Sequence, residues 1–368
     1  MDSYDLLCDL VSRVKHCANE DSDASFSNIR LSYHHNGSNA DAFRPIEHIA
    51  HVVAGSAIGV HAAEPVELVF YVVRSEDALA TLARTIGSHP HHTPSIVNGV
   101  PHLDIVRSQR MPEGPLSVLR FFTNAGGPCP YLYFLYQPAS RESVIVLGEN
   151  DRRANYLVTE ILLDLLLAHS NLFGMHASAV SYQHRGIIFV GNAGAGKTSL
   201  TLAFVRAGAE FISDDISIIS PKALLLPFEH KQLTLRLSTI KYLAEHGRAT
   251  DLSPTPPEWH EDWRKAPETY RYMPDIFGPE IYGFPVPITT IIAPVFRTDT
   301  DDVFITPIPP SDALAGMQSS LLPWLMRWED AFGISGRRAA VQVAATQLLT
   351  ARRVHTARLE RRGSRLSG

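Results

Sequence analysis

The sequence predicts an α/β (α+β) protein in two main parts, a β-rich N-terminal domain and a phosphate-loop domain. Three observations predict it. Segments rich in β-branched and aromatic residues recur between Val66 and Gly148, separated by Gly, Pro or charge. The texture changes at a polar stretch, Asn150–Asn155 (NDRRAN). Beyond it an apolar run, a glycine-rich loop and an amphipathic run follow in strand, loop, helix order.

The chain has 368 residues, more than one ordinary domain of roughly 100–200 residues accommodates. Hydrophobic residues make up 45% and charged residues 19%, which excludes wholesale disorder and a disulfide mini-scaffold. A formal net charge of −5 offers no global attraction for nucleic acid or an anionic membrane, so neither is expected as a partner. The three cysteines, Cys8, Cys17 and Cys129, lack CxxC spacing and fit a reducing, cytoplasmic location. Asp2, Asp5 and Asp9 stand where an export signal needs basic and apolar residues. The richest apolar stretch, Ile161–Leu167, is far shorter than the ~20 residues that span a bilayer.

The N-terminal domain is expected over 1–153, with strands at Val66–Val73, Leu116–Thr123, Tyr131–Tyr136 and Ser143–Gly148. Ser88–Asp104, with His89, His91, His92 and His102, reads as a surface loop, because its Pro-interrupted spacing matches no metal-ligand pattern. His34, His35, His48 and His51 read the same way. The phosphate-loop domain is expected over 154–335. It opens with a buried helix at Tyr156–His169 and continues through Met175–Val180, Gly186–Val190, a helix at Thr198–Arg206 stopped by Gly208, and a strand at Glu210–Ser220. Ser253–Pro287, with eight prolines and two tryptophans, reads as a long irregular segment, and Ile288–Phe296 as a core strand. A basic tail over 336–368, with eight arginines against Glu360, carries helical spacing in Ala339–Leu349.

The chemistry concentrates in Gly191–Thr198 (GNAGAGKT), a full G-x-x-x-x-G-K-[ST] pattern (P-loop, Walker A). Its glycines permit backbone conformations that turn successive N–H groups inward around a phosphate at a helix N-terminus. The nucleotide-binding set is Gly191, Asn192, Ala193, Gly194, Ala195, Gly196, Lys197, Thr198 and Ser199. Lys197 reaches the β- and γ-phosphates and the Thr198 hydroxyl coordinates Mg²⁺, so ATP and Mg²⁺ are the expected cofactors. Seventeen residues after Lys197, Asp214 and Asp215 interrupt an apolar strand. Burying either carboxylate requires a partner: Mg²⁺, a lysine or a substrate hydroxyl. His176 stands twenty-one residues before Lys197, at the start of a strand expected to run beside the loop strand.

The series His176, GNAGAGKT, Asp214–Asp215 resembles the catalytic core of HPr kinase/phosphorylase and the wider group of HPr-kinase-like serine kinases, whose core is shared with phosphoenolpyruvate carboxykinase. The firm resemblance covers about Asn155–Ser220, extends more weakly to Phe296 and does not reach the N-terminal domain. It implies a kinase in which Lys197 and the loop amides hold the nucleotide phosphates and Thr198 holds Mg²⁺. Asp214 takes the proton from the accepting hydroxyl, Asp215 assists the metal or the loop lysine, and His176 is a polar or charge-stabilising neighbour. It also implies an assembly into homo-oligomers. The nearest text to that family's Glu-Ile-Arg-Gly stretch is Glu280–Gly283 (EIYG), later in the chain and without the arginine, so reverse phosphorolysis is not implied. Members with a different N-terminal domain look like modifying kinases of peptide natural products, which points to a peptide or small-protein Ser/Thr as acceptor. A small-molecule hydroxyl, or a nucleotide-regulated binding module without turnover, are the alternatives. Arg236 is a further candidate for stabilising the transferring phosphoryl group.

Overall fold

The computed structural model describes residues 12–13, 15–16, 18, 20–26, 29–36, 66–86, 92–97, 100–108, 116–121, 132–137, 139–148, 158–159, 162–163, 165–167, 172–192, 194–220, 222–229, 233–236, 268–271, 273–297, 303–309, 311–313, 343, 346–347 and 354–362. The chain divides into two units: Met1–Asn171 with Trp324–Arg338, and Leu172–Pro323 with Ala339–Gly368. Both are mixed α/β, built on sheets with few helices.

The first unit holds β1 (Glu20–Phe26), β2 (Ile29–His35), β3 (Val66–Arg74), helix α1 (Glu76–Ile86), β4 (His92–Val97), β5 (Val100–Ser108), β6 (Leu116–Phe121), β7 (Leu132–Gln137) and β8 (Glu142–Leu147). The sheet order is β1-β2-β3-β8-β7-β6-β5-β4, with β2–β3 and β3–β8 parallel and the other pairs antiparallel. The four strands expected from β-branched and aromatic content are β3, β6, β7 and β8. Every residue of β7 is buried, so Leu132–Tyr136 is a continuous apolar run rather than an alternation, closed by buried Gln137. Helix α1 is capped by Ser75, whose Oγ accepts the Ala78 N–H at 3.2 Å, and it carries Glu76 and Asp77 in its first turn and Arg84 in its last. Its Leu82 packs with Val73, Val118, Tyr133, Leu135, Val144 and Val146. The described residues between 158 and 167 are helical and buried, as the leucine content of that segment predicts.

The surface loop expected over Ser88–Asp104 is corrected: β4 and β5 pair antiparallel, placing His92 and His102 on strands. The prolines are tolerated for positional reasons. Pro94 lies on the edge strand, and Pro101 pairs with Ile96 at a register shift, short of the point where β6 begins to pair. His34 and His35 are likewise on a strand, β2; His34 stacks on Tyr71 and His35 is buried. His48, His51, His89 and His91 lie outside the described residues.

The second unit comprises β9 (Phe173–Met175), β10 (Ala177–Tyr182), β11 (Arg185–Val190), helix α2 (Lys197–Arg206), β12 (Glu210–Ser213), β13 (Ser217–Ile219), β14 (Leu224–Leu226), β15 (Leu233–Arg236), β16 (Glu268–Arg271), helix α3 (Met273–Phe277), a 3₁₀ turn at Pro279–Ile281, β17 (Val286–Arg297), β18 (Val303–Pro307) and β19 (His355–Arg362). The main path is β12-β10-β11-β17-β14-β13-β9, with β19 adding to β17 and β18 to β19. β10 and β11 form a hairpin through Gln183 and His184, whose φ values of 51° and 58° suit the tight turn that matches strand twist. Gly208 stops α2 with φ 96°, as expected, its N–H donating to Val205 O at 3.0 Å.

Three expectations are corrected here. The strand over Glu210–Ser220 is two strands, because the chain bends at Asp214–Asp215. The segment expected to be irregular up to Pro287 contains β16, α3 and the 3₁₀ turn, while 253–267 lies outside the described residues. The tail is not solely helical: residues 343 and 346–347 are helical, but β19 is a full strand parallel to β17. Its alternation of Ala357 and Leu359 with Thr356, Arg358 and Glu360 has the period of a strand.

Candidate functional site

The site grows from the end of β11. Ile188, Phe189 and Val190 are buried, anchoring the strand, and the chain then leaves the sheet at Gly191. Gly194 and Gly196 take φ values of 82° and 93°, which side chains rarely adopt, and Ala195 N–H closes the turn onto Asn192 O at 3.1 Å. Helix α2 begins at once, with glycine at its N-cap and no acidic residue in its first turn. Its leading amides and the positive end of its dipole are therefore not neutralised by the helix's own side chains. Lys197 is 7% exposed, and its ammonium donates to Gly191 O at 2.8 Å and to Asn192 O at 3.3 Å. The lysine thus lies folded under the loop. Asn192, Gly194 and Ser199 are exposed, Gly191, Ala195, Gly196 and Thr198 are half-buried, and Ala193 lies outside the described residues.

The acidic pair and the histidine reach this loop through one corner of the sheet. β9 continues into β10 through His176, and β12 continues into β13 through Asp214–Asp215. β9 pairs with β13 and β10 with β12, so both crossings belong to the same two neighbouring stretches of chain. Hydroxyls stitch the corner: Ser213 and Ser217 share a hydrogen bond of 2.7 Å, and Ser217 Oγ donates to Ala177 O at 3.0 Å. All three residues are fully buried.

The two carboxylates take different partners. Asp214 accepts the Thr198 hydroxyl, with both carboxylate oxygens 3.0 Å away, and accepts the Ser178 hydroxyl on Oδ1 at 2.7 Å. Asp215 sits at φ 68° with Oδ1 3.2 Å from His176 Nε2. Their side chains are 23% and 33% exposed respectively, so this edge of the corner is open to solvent. His176 directly precedes Ala177, which pairs with Val190 at the mouth of the loop. The geometry therefore gathers Thr198, Asp214 and Ser178 in one hydrogen-bonded group, with Asp215 and His176 paired on the next turn of chain.

The donor set can be tested against a hydrated Mg²⁺. A Mg²⁺ octahedron with oxygens at about 2.1 Å has an edge of about 3.0 Å. The Thr198–Asp214 separation of 3.0 Å fits that edge. Among the described residues no cluster of three or more His, Cys, Asp or Glu is gathered for a metal. One hydroxyl and one carboxylate, with phosphate and water completing the shell, is how Mg²⁺ is ordinarily held.

Neither of the two remaining sequence candidates takes part in the hydrogen bonds and ion pair described for this group. Glu280 is exposed on the 3₁₀ turn, and Arg236 ends β15, its side chain outside the described residues. Ser178 was missed, since nothing in ASAVSY separates it from Ser181. Glu229 was missed too: it is buried, accepting the Met273 N–H at 2.8 Å and the Tyr282 hydroxyl. Gly283 N–H in turn donates to Phe211 O at 2.8 Å, so this clamp holds the α3 region against β12. Among the described residues no helix is long and apolar enough to cross a membrane.

Comparison with protein-family models finds none that matches the chain, and comparison with curated proteins finds no match either.

Proposed function

We propose that the protein is an ATP- and Mg²⁺-dependent kinase with an HPr-kinase-like core, acting on a serine or threonine hydroxyl of a peptide or small protein. The observation that carries this reading is the hydrogen bond from Thr198 of the glycine-rich loop to Asp214, beside the Asp215–His176 pair. Phosphoryl transfer needs anchored phosphates, neutralised charge and an acceptor for one proton. The loop amides and Lys197 bind and orient the triphosphate, Lys197 moving its ammonium from loop carbonyls onto phosphate oxygens. Thr198 and Asp214 hold the Mg²⁺, which when bound neutralises phosphate charge.

The hydrogen bonds favour giving Asp214 the metal side and Asp215 the acceptor's proton, the reverse of the roles implied by the family resemblance. Both carboxylates are half-buried, but Asp214 accepts two hydroxyls, one of them from the loop, whereas Asp215 faces His176, whose side chain is 33% exposed. His176 holds the Asp215 carboxylate in place.

The test supplies the purified chain with Mg²⁺, γ-labelled ATP and panels of hydroxyl-bearing peptides and small molecules. Labelled phosphopeptide is the expected product. Tight ATP binding with no labelled product from either panel would refute turnover in favour of a binding module, and label only on small molecules would refute the peptide acceptor.

A further inference from the structure

We infer that Ser178 is a positioning residue for the metal-side carboxylate: its hydroxyl fixes Asp214 so that one oxygen stays turned toward Thr198 and the cation. The inference rests on the proposed Mg²⁺–nucleotide reading of the loop. Ser178 is fully buried in β10, opposite Phe189 of the loop strand, and donates to Asp214 Oδ1 at 2.7 Å, the shortest of the three contacts made to that carboxylate by the two hydroxyls.

The physical argument starts from donor counting. Thr198 has one hydroxyl proton and lies equally far, 3.0 Å, from both oxygens of Asp214, so by itself it does not choose between them. Ser178 breaks that symmetry by donating to Oδ1, so the two carboxylate oxygens are no longer equivalent. Asp214 lies on a bend one residue beyond Ser213, the last residue of β12 that pairs with β10. The backbone bond from Ile216 N–H to Asp214 O, 2.8 Å, fixes the bend but not the carboxylate. Ser178 performs that second task from a different strand. Groups that orient a metal-binding side chain in this way ordinarily contribute about 10–100-fold to metal affinity.

The experiment titrates a fluorescent ATP analogue into the full chain across a range of Mg²⁺ concentrations and, in parallel, in chelator. Ser178→Ala is expected to raise the Mg²⁺ concentration needed for half-maximal binding by about tenfold, with metal-free nucleotide affinity unchanged within about twofold. Ser178→Thr, which restores the hydroxyl, is expected to recover most of the loss. Ser181→Ala, which removes another buried serine from the same strand, should leave the Mg²⁺ dependence as it is. If Ser178→Ala does not fold, Ser178→Cys keeps the volume with a much weaker donor and answers the same question. An unchanged Mg²⁺ dependence in the alanine or cysteine variant overturns the inference alone. So does an equal loss of metal-free and metal-dependent binding, the mark of a general structural defect. A wild-type chain whose nucleotide binding ignores Mg²⁺ overturns the reading of the loop and the inference with it.

Discussion

Exchanging each aspartate of the pair for asparagine tests the two proposed roles, holding the metal and accepting the proton. Asp214→Asn preserves shape but turns one oxygen into an NH₂, a donor facing hydroxyl donors 2.7–3.0 Å away. Hydrogen bonds to a carboxylate contribute about 1.5–3 kcal/mol each, against about 1 kcal/mol for neutral pairs. With two hydroxyls on this carboxylate, and either able to rotate, the variant should lose about 2 kcal/mol of stability. It also loses the full negative charge facing the cation, so Mg²⁺-dependent ATP affinity should fall by about 100-fold or more, beyond the roughly tenfold effect expected of an orienting group. Asp215→Asn should behave differently. Asparagine accepts the left-handed backbone at φ 68° as readily as aspartate, so stability should fall only by the weakened contact to His176, about 1 kcal/mol or less. Mg²⁺–ATP affinity should stay within about threefold, while transfer to an acceptor should drop by about 10²–10⁴-fold, the usual range for losing a general base. Calorimetric titration, chemical denaturation and single-turnover transfer measure the three quantities. The reverse pattern, with Asp215→Asn losing the metal and Asp214→Asn losing only transfer, would refute the assignment of roles. Two variants indistinguishable from wild type would refute the site.

Further outcomes follow from the same contacts. Lys197→Met removes the buried ammonium and should lower Mg²⁺–ATP affinity by about 10–100-fold by calorimetry, since a charge-assisted hydrogen bond to phosphate contributes about 1.5–3 kcal/mol; a change under threefold would contradict the placement of the loop. Glu229→Ala leaves the Met273 N–H and the Tyr282 hydroxyl without this carboxylate, and should cost about 2–3 kcal/mol of stability in denaturant, whereas Tyr282→Phe should cost less than half of that. Alkaline pH should destabilise the first unit. Burial pushes the Tyr136 phenol up to about 12, partly offset by Arg141, and pushes Tyr33 up as well, so both stay protonated in the fold while the unfolded chain ionises near pH 10. The unfolded state then binds fewer protons, and stability should fall above about pH 10 by up to about 1.4 kcal/mol per pH unit for each tyrosine. Tyr136→Phe should flatten that slope by about half, measured as denaturation midpoints between pH 9 and 11.5.

What the sequence reveals of this chain depends on how far apart the interacting groups lie. The glycine-rich loop is legible because its requirements are local: positive φ at Gly194 and Gly196, a lysine and a threonine opening a helix, and an apolar strand before them all fall within a few residues. His176 is almost as legible, because a tight hairpin turn at Gln183–His184 forces β10 to run back along β11 and brings its start opposite Val190. Ser178 is not, because its meaning comes from a carboxylate thirty-six residues away. The β4–β5 pair was missed in the first unit because Pro94 in β4 and Pro101 in β5 mimic a loop, and only the edge position and the register shift excuse them.

The bend at Asp214–Asp215 shows where a local rule gives way to the fold. Strand alternation alone would send the two carboxylates to opposite faces of one sheet. Instead, β12 pairs with β10 through a register shift between Ala179 and Val180, and the chain turns after Ser213 to join a different set of partners, β9 and β14. The buried Ser213–Ser217 hydrogen bond spans that turn, and Ser217 ties it to Ala177, the residue after His176. Two adjacent strands thus change partners at the same place, and polar side chains that a continuous strand would have buried without compensation gain partners there. The apolar flanks Phe211–Ile212 and Ile218–Ile219 are needed on either side to hold the corner against the core. The acidic pair is then costly in sequence but inexpensive in place, which is the physical reason it can sit next to the loop at all.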